Sequence, residues 1–207
     1  MKVKVESLYE TNPIVSLQKY KKLVEKNPSN IAARYGLSLA LVKNSSFEEA
    51  INEFEALRPR LPNTILMLAA YAEVLASAGQ HQKAEKIIES RLAISPDNQP
   101  LSMIHAKTLI ATKRFKEAEK ILIGLSKVRP NDVDIWYELA ETSGLAGNIS
   151  GVHIARAEYF VLHGAYTRSI QHLEYAKSLT RGNNPQLQAK LAQQIQDLKT
   201  QVRLAKG

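Results

Sequence analysis

Four prolines stand at Pro28, Pro62, Pro96 and Pro130, each 34 residues after the one before. Proline has no amide hydrogen to give and disfavours the helical conformation in the residue that precedes it, so each one marks a place where a helix must stop. The same interval joins Ala50, Ala84 and Ala118, and twice that interval joins Gly79 to Gly147, with Ser45 and Lys113 at the equivalent places. A stop signal, a small residue and a turn residue that recur together constrain the chain to an array of like units, each burying its apolar side against the next.

A unit of this length resembles the tetratricopeptide repeat, a pair of antiparallel helices. The expected fold class is therefore all-α: a right-handed superhelical solenoid of tetratricopeptide (TPR) helix pairs with a C-terminal capping helix. The alanines fall where the two helices of a unit cross, because a small side chain lets the backbones approach. Phe54, Ile88 and Leu122, four residues further on, share that face and fill the space between the helices. Ser45 and Ser46 before Glu48 and Glu49 read as a capping box at the start of a second helix. Asn12–Pro13 and Asn184–Pro185 read as N-caps followed by proline at the first helical position.

The boundaries that follow are residues 1–11 as a linker or appended tail and 12–207 as a single solenoid domain. Within it lie a half repeat at 13–30, repeats at 31–64, 65–98 and 99–132, irregular repeats over 133–181 and a capping helix at 184–205. Trp136, Leu139 and Ala140 take the consensus Trp, Leu and small positions that open the fifth unit. Beyond Gly147 a helix near 149–163 serves as the second helix of that unit and the first of the next, so an irregular junction is expected there. The last helix sets Leu187, Leu191, Ile195, Leu198 and Val202 on one stripe with glutamines opposite, as a terminal cap with a polar outer face requires.

The 44% apolar and 23% charged composition is that of a folded globular chain. A formal charge of +8 invites a nucleic-acid reading, but the basic residues are spread out, with Lys19, Lys21, Lys22 and Lys26 the densest group and no arginine-rich run. Solvated helix faces account for them, and no nucleic-acid partner is expected. Cysteine is absent, which removes disulfides, thiolate catalysis and cysteine-ligated zinc. No apolar run approaches the length of a membrane span, so no membrane insertion is expected. His81, His105, His153, His163 and His172 lie in no compact metal-ligand spacing, and neither a nucleophile elbow nor a phosphate-binding glycine loop occurs. No catalytic residue, metal site or cofactor is expected.

The tetratricopeptide resemblance implies a binding groove lined by the first helix of each unit. Here the lining positions hold Tyr35, Leu39 and Lys43, then Ala69 and Glu73, then Met103 and Lys107, then Tyr137 and Glu141. Aromatic and Met side chains beside isolated charges suit a protein or peptide partner. They do not resemble the Lys and Asn cluster with which related repeats hold the acidic tails of cytosolic chaperones.

From His153 the chain reads HIARAEYFVLHGAYTRSIQHLEYAKSL, with Arg156, Glu158 and Tyr159 as its most specific residues, while Ala32–Leu41 reads AARYGLSLAL. This is similar to the C-terminal repeat region of bacterial periplasmic zinc metallopeptidases of the β-barrel-assembly-enhancing type. The resemblance implies that the chain is the non-catalytic repeat domain of an exported protease, docking outer-membrane assembly machinery, substrate or its own protease domain, with a periplasmic location. The family's HExxH helix has no counterpart in this sequence, so no catalytic residue is carried over. A free-standing adaptor, which would suit a cytoplasmic location, and a basic helical array that binds nucleic acid are the alternatives.

Overall fold

The computed structural model describes residues 12–60, 65–182 and 184–204, with the side chain of Leu66 left aside. The tail at 1–11, Pro62, Asn183 and residue 205 of the capping helix lie outside the described residues. The helices are α1 (Pro13–Lys26), α2 (Ile31–Lys43), α3 (Phe47–Leu57), α4 (Ile65–Ser77), α5 (His81–Leu92), α6 (Gln99–Ala111), α7 (Phe115–Val128), α8 (Val133–Leu145), α9 (Ile149–Leu162), α10 (Tyr166–Leu179) and α11 (Pro185–Leu204). No strand occurs among the described residues, and the fold is all-helical, of the tetratricopeptide-repeat type.

Two kinds of turn alternate, and their backbones explain the interval. Between units, Pro28, Pro96 and Pro130 occupy the second place of a turn closed by Asn30 N–H to Asn27 O, Asn98 N–H to Ser95 O and Asp132 N–H to Arg129 O. Proline's fixed φ suits that place in a β-turn. The residue that ends each of these turns then caps the next helix. Asn30 Oδ1 accepts from Ala33 N–H at 3.0 Å, Asn98 Oδ1 from Leu101 N–H at 3.0 Å, and Asp132 Oδ1 from Asp134 N–H at 3.0 Å.

Within units the turn is a three-residue link whose middle residue is left-handed: Ser45 (φ 59°), Gly79 (75°), Lys113 (63°) and Gly147 (81°). The residue after it donates back into the finished helix, as Ser46 N–H does to Leu41 O and Gln80 N–H to Leu75 O, which satisfies carbonyls the helix end would orphan. After this link ψ is 62° at Ser46, 52° at Gln80 and 56° at Arg114, and none of these makes a side-chain cap, whereas Asn148 after Gly147 opens to 79° and accepts from Gly151 N–H. The capping box expected at Ser46 is not formed. At the capping residues Asn30 and Asp132 ψ is 99° and 107°, which turns the side chain toward the free amides.

The chain divides into two compact units, Met1–Thr108 and Leu109–Gly207. In the first, α1 packs on α2, α2 on α3, α3 on α4 and α4 on α5. Ala50, Ala84 and Ile88 are fully buried and Phe54 is 3% exposed. The Phe54 ring meets Tyr35 edge-on and stacks on Tyr71, each at 5.7 Å between centroids. Tyr20 of α1 lies so close over Gly36 of α2 that a Cβ there would stand 2.3 Å from the ring.

In the second unit α7, α8, α9, α10 and α11 pack each on the next. Glu119 of α7 ties three elements together, its Oε1 accepting from the buried Ser143 hydroxyl of α8 and from Asn148, the N-cap of α9, both at 2.7 Å. Helix α9 ends in a second three-residue link, with Gly164 left-handed at φ 69° and Ala165 N–H donating to Phe160 O. Helix α9 is thus flanked on both sides by the link that elsewhere joins the two helices of one unit. The final helix buries Leu191, Ile195 and Leu198 against Ala157, Leu173 and Ala176.

Candidate protein-binding surface

Four of the residues singled out in the sequence meet on the surface of the second unit. Tyr137 and Glu141, one turn apart on α8, face Arg156 and Tyr159 of α9. The tyrosine rings lie 6.2 Å apart between centroids, and Arg156 Nη2 reaches Glu141 Oε1 at 3.4 Å. Tyr137 is 55% exposed, a large ring left in water. The Arg156 and Glu141 side chains are about half exposed, so their ion pair is worth at most about 1 kcal/mol and opens at little cost. An exposed aromatic ring beside a half-exposed arginine is the composition that dominates binding energy in protein interfaces.

The patch continues along α9. Tyr159 lies 4.3 Å from the His163 ring, whose Nδ1–H donates to the Tyr159 carbonyl at 2.8 Å. Further along, His153 and His172 approach through their Nδ1 atoms at 2.9 Å, with Tyr175 stacked on His153 and Phe160 stacked on His172. Burial pushes the His153 pKa down and Arg156 adds to this; His172 is lowered by burial, then by His153 and Arg156. Both rings are therefore held neutral at neutral pH. Glu158 lies apart from the patch, accepting from Gln194 Nε2 of α11 at 3.1 Å.

In the first unit the first-helix positions divide between core and surface. Ala69 is buried, and Tyr35 is half-buried with its hydroxyl enclosed and without a hydrogen-bond partner. Burial, reinforced by the Glu73 carboxylate, raises the Tyr35 pKa. Leu39 and Met103 are half-buried, while Lys43, Glu73 and Lys107 are exposed. The sequence alone does not single out the cluster of His153, Phe160, His172 and Tyr175. Their helical spacing is visible, but that they converge depends on α9 turning directly into α10.

Among the described residues no helix is long and apolar enough to cross a membrane.

Two stretches of the chain, residues 12–65 and 75–142, match family models of the tetratricopeptide repeat. Together with the helix pairs, this makes the chain one built of tetratricopeptide repeats, a class that mediates protein–protein interaction. Among named relatives, the Beta-barrel assembly-enhancing protease of Yersinia pestis is 26% identical over 150 residues, which cover 72% of this chain and 30% of that protein. Tetratricopeptide repeat protein 21B of Xenopus laevis is 27% identical over 92 residues, 44% of this chain and 7% of that one. The chain thus spans less than a third of the length of either relative.

Solved structures show the same fold. A tetratricopeptide repeat protein from Parabacteroides merdae superposes with a TM-score of 0.56 at 15% identity, covering 87% of this chain and 76% of its own. MamA from Desulfovibrio magneticus RS-1 gives 0.56 at 17%, covering 84% and 97%. YrrB, described as a TPR protein with an unusual peptide-binding site, gives 0.54 at 18%, covering 76% and 81%.

Proposed function

We propose that this chain is the non-catalytic interaction domain of a zinc-dependent protease of the cell envelope, and that it holds a partner or substrate polypeptide on the faces of its first helices. The observation that carries the binding mode is the joint exposure of Tyr137, Glu141 and Arg156 on α8 and α9, beside the half-buried Tyr159 ring. An extended polypeptide laid across them gains aromatic contact area from rings already fixed by their helices, and its charges can exchange with the weak Arg156–Glu141 pair. In the first unit Leu39, Lys43, Glu73, Met103 and Lys107 offer further contacts of the same mixed kind. Tyr35 and Ala69 support that face from beneath.

The protease assignment rests on the likeness to the Yersinia pestis protein over 72% of this chain and on the ARAEYF segment of α9. It implies a periplasmic location and outer-membrane assembly components or unfolded barrel proteins as partners. Capture from a Gram-negative envelope extract tests it, with the wild-type chain compared with a Tyr137→Ser/Arg156→Glu variant. Both substituted side chains are exposed, so the variant folds. Recovery of barrel-assembly components by the wild type alone is the expected result, and equal recovery by both would overturn the binding mode.

A further inference from the structure

Helix α5 carries Glu85 and Glu89 one turn apart, a spacing that stacks two carboxylates on one helix face. His105 of α6 meets them there. One ligand atom from each of the three lies within 4.8 Å of the others, and His105 Nε2 stands 3.7 Å from Glu85 Oε1. That separation is too long for a hydrogen bond. Yet His105 Nε2 is buried and has no hydrogen-bond partner, and an enclosed polar atom without one calls for a cause.

If Nε2 carried a proton, attraction would draw it onto the carboxylate; if it carries a lone pair, that lone pair faces two carboxylates. A cation between them resolves the second case, taking the Nε2 lone pair and both carboxylates as ligands. Zinc bonds nitrogen and carboxylate oxygen at about 2.0–2.2 Å, which places neighbouring ligand atoms of a tetrahedral site about 3.4 Å apart. The His105–Glu85 separation is within a few tenths of an ångström of that value.

We propose that Glu85, Glu89 and His105 form a binding site for one divalent transition-metal ion of the zinc class, which clamps α5 to α6. One imidazole and two carboxylates select a first-row transition metal over magnesium or calcium, which take all-oxygen sites. The His105 and Glu85 side chains are 15% and 18% exposed and form the sheltered side of the site. Glu89 is exposed, so the fourth position opens to solvent and takes a water. The ion joins the second helix of one repeat to the first helix of the next, in a chain without cysteine to do so covalently. A sequence scan misses it because the third ligand sits on another helix and no compact motif forms.

The test uses the full chain stripped with a chelator, then titrated with zinc chloride by calorimetry and melted with and without zinc. The expected result is one ion bound at this site, a raised melting temperature, and no effect of magnesium at the same concentration. Affinity falls by at least about tenfold in His105→Gln and in Glu89→Gln, the second of which alters only an exposed group and keeps the fold. His172→Gln, which breaks the separate His153–His172 contact, leaves the affinity unchanged. Zinc binding that survives both His105→Gln and Glu89→Gln, or that is lost in His172→Gln, overturns the proposal, as does an unchanged melting temperature in the wild type.

Discussion

The Nδ1 atoms of His153 and His172 stand 2.9 Å apart across the α9–α10 pair, so one ring's N–H donates to the other's lone pair and the two share a single proton between them. Protonating both rings breaks that bond and places two cations side by side, close to Arg156, which already lowers both pKa values behind the larger effect of burial.

The pH dependence follows from this. Both histidines titrate below their ordinary value of 6.5 in the folded chain, so the unfolded chain binds protons first as pH falls. The stability they contribute is complete above about pH 6.5 and is lost as pH drops from there toward the lowered native values. Thermal melting followed from about pH 7.5 to about pH 5 should show a falling midpoint. His172→Gln should flatten that fall; an equal slope in the variant would mean that other groups carry it.

Gly36 is required by Tyr20. Alanine is the better helix former by about 1 kcal/mol, yet its Cβ would stand 2.3 Å from the Tyr20 ring, which is 4% exposed and enclosed on its other side. Gly36→Ala is expected to destabilise the chain by about 1–3 kcal/mol despite its propensity, through overpacking. Chemical denaturation measures it, and the double variant Gly36→Ala/Tyr20→Leu should lose less than the two single losses added.

Ser45 and Lys113 hold left-handed backbone at φ 59° and 63°, where glycine serves at positions 79, 147 and 164. Replacing Lys113 by glycine should stabilise the chain by about 0.5 kcal/mol, the relief of left-handed strain less the freedom gained by the unfolded chain. Gly147→Ala should cost about 1 kcal/mol. No atom stands within 4 Å of a Cβ added at Gly147, so that loss is conformational alone. Opposite signs in the two substitutions are the result to look for.

Much of this architecture is legible from intervals. The prolines, the buried alanines and the residues four places after them follow directly from how two helices cross and stop. The structure adds what depends on backbone direction. Ser46 has the chemistry of a cap, but the left-handed Ser45 before it sets ψ at 62° and leaves its hydroxyl without an amide to meet. Asn30, Asn98 and Asp132 cap instead, and at Asn30 and Asp132 the proline turn leaves the backbone extended. Trp136 shows both sides: its consensus position is readable, whereas its Nε1–H donating to Pro130 O at 2.6 Å, matched by Arg34 Nε–H to Pro28 O at 2.7 Å, is not. Of the groove residues, Tyr137 and Glu141 gain partners on α9 that only the packing of the second unit makes neighbours.

The most direct measurement is photo-cross-linking with a benzoylphenylalanine at position 137, compared with the same probe at the exposed position 190 on α11, in a Gram-negative envelope extract. The account predicts a discrete adduct from position 137 that disappears with Arg156→Glu, and none from position 190. Adducts of equal yield from both positions, or from position 190 alone, would contradict it.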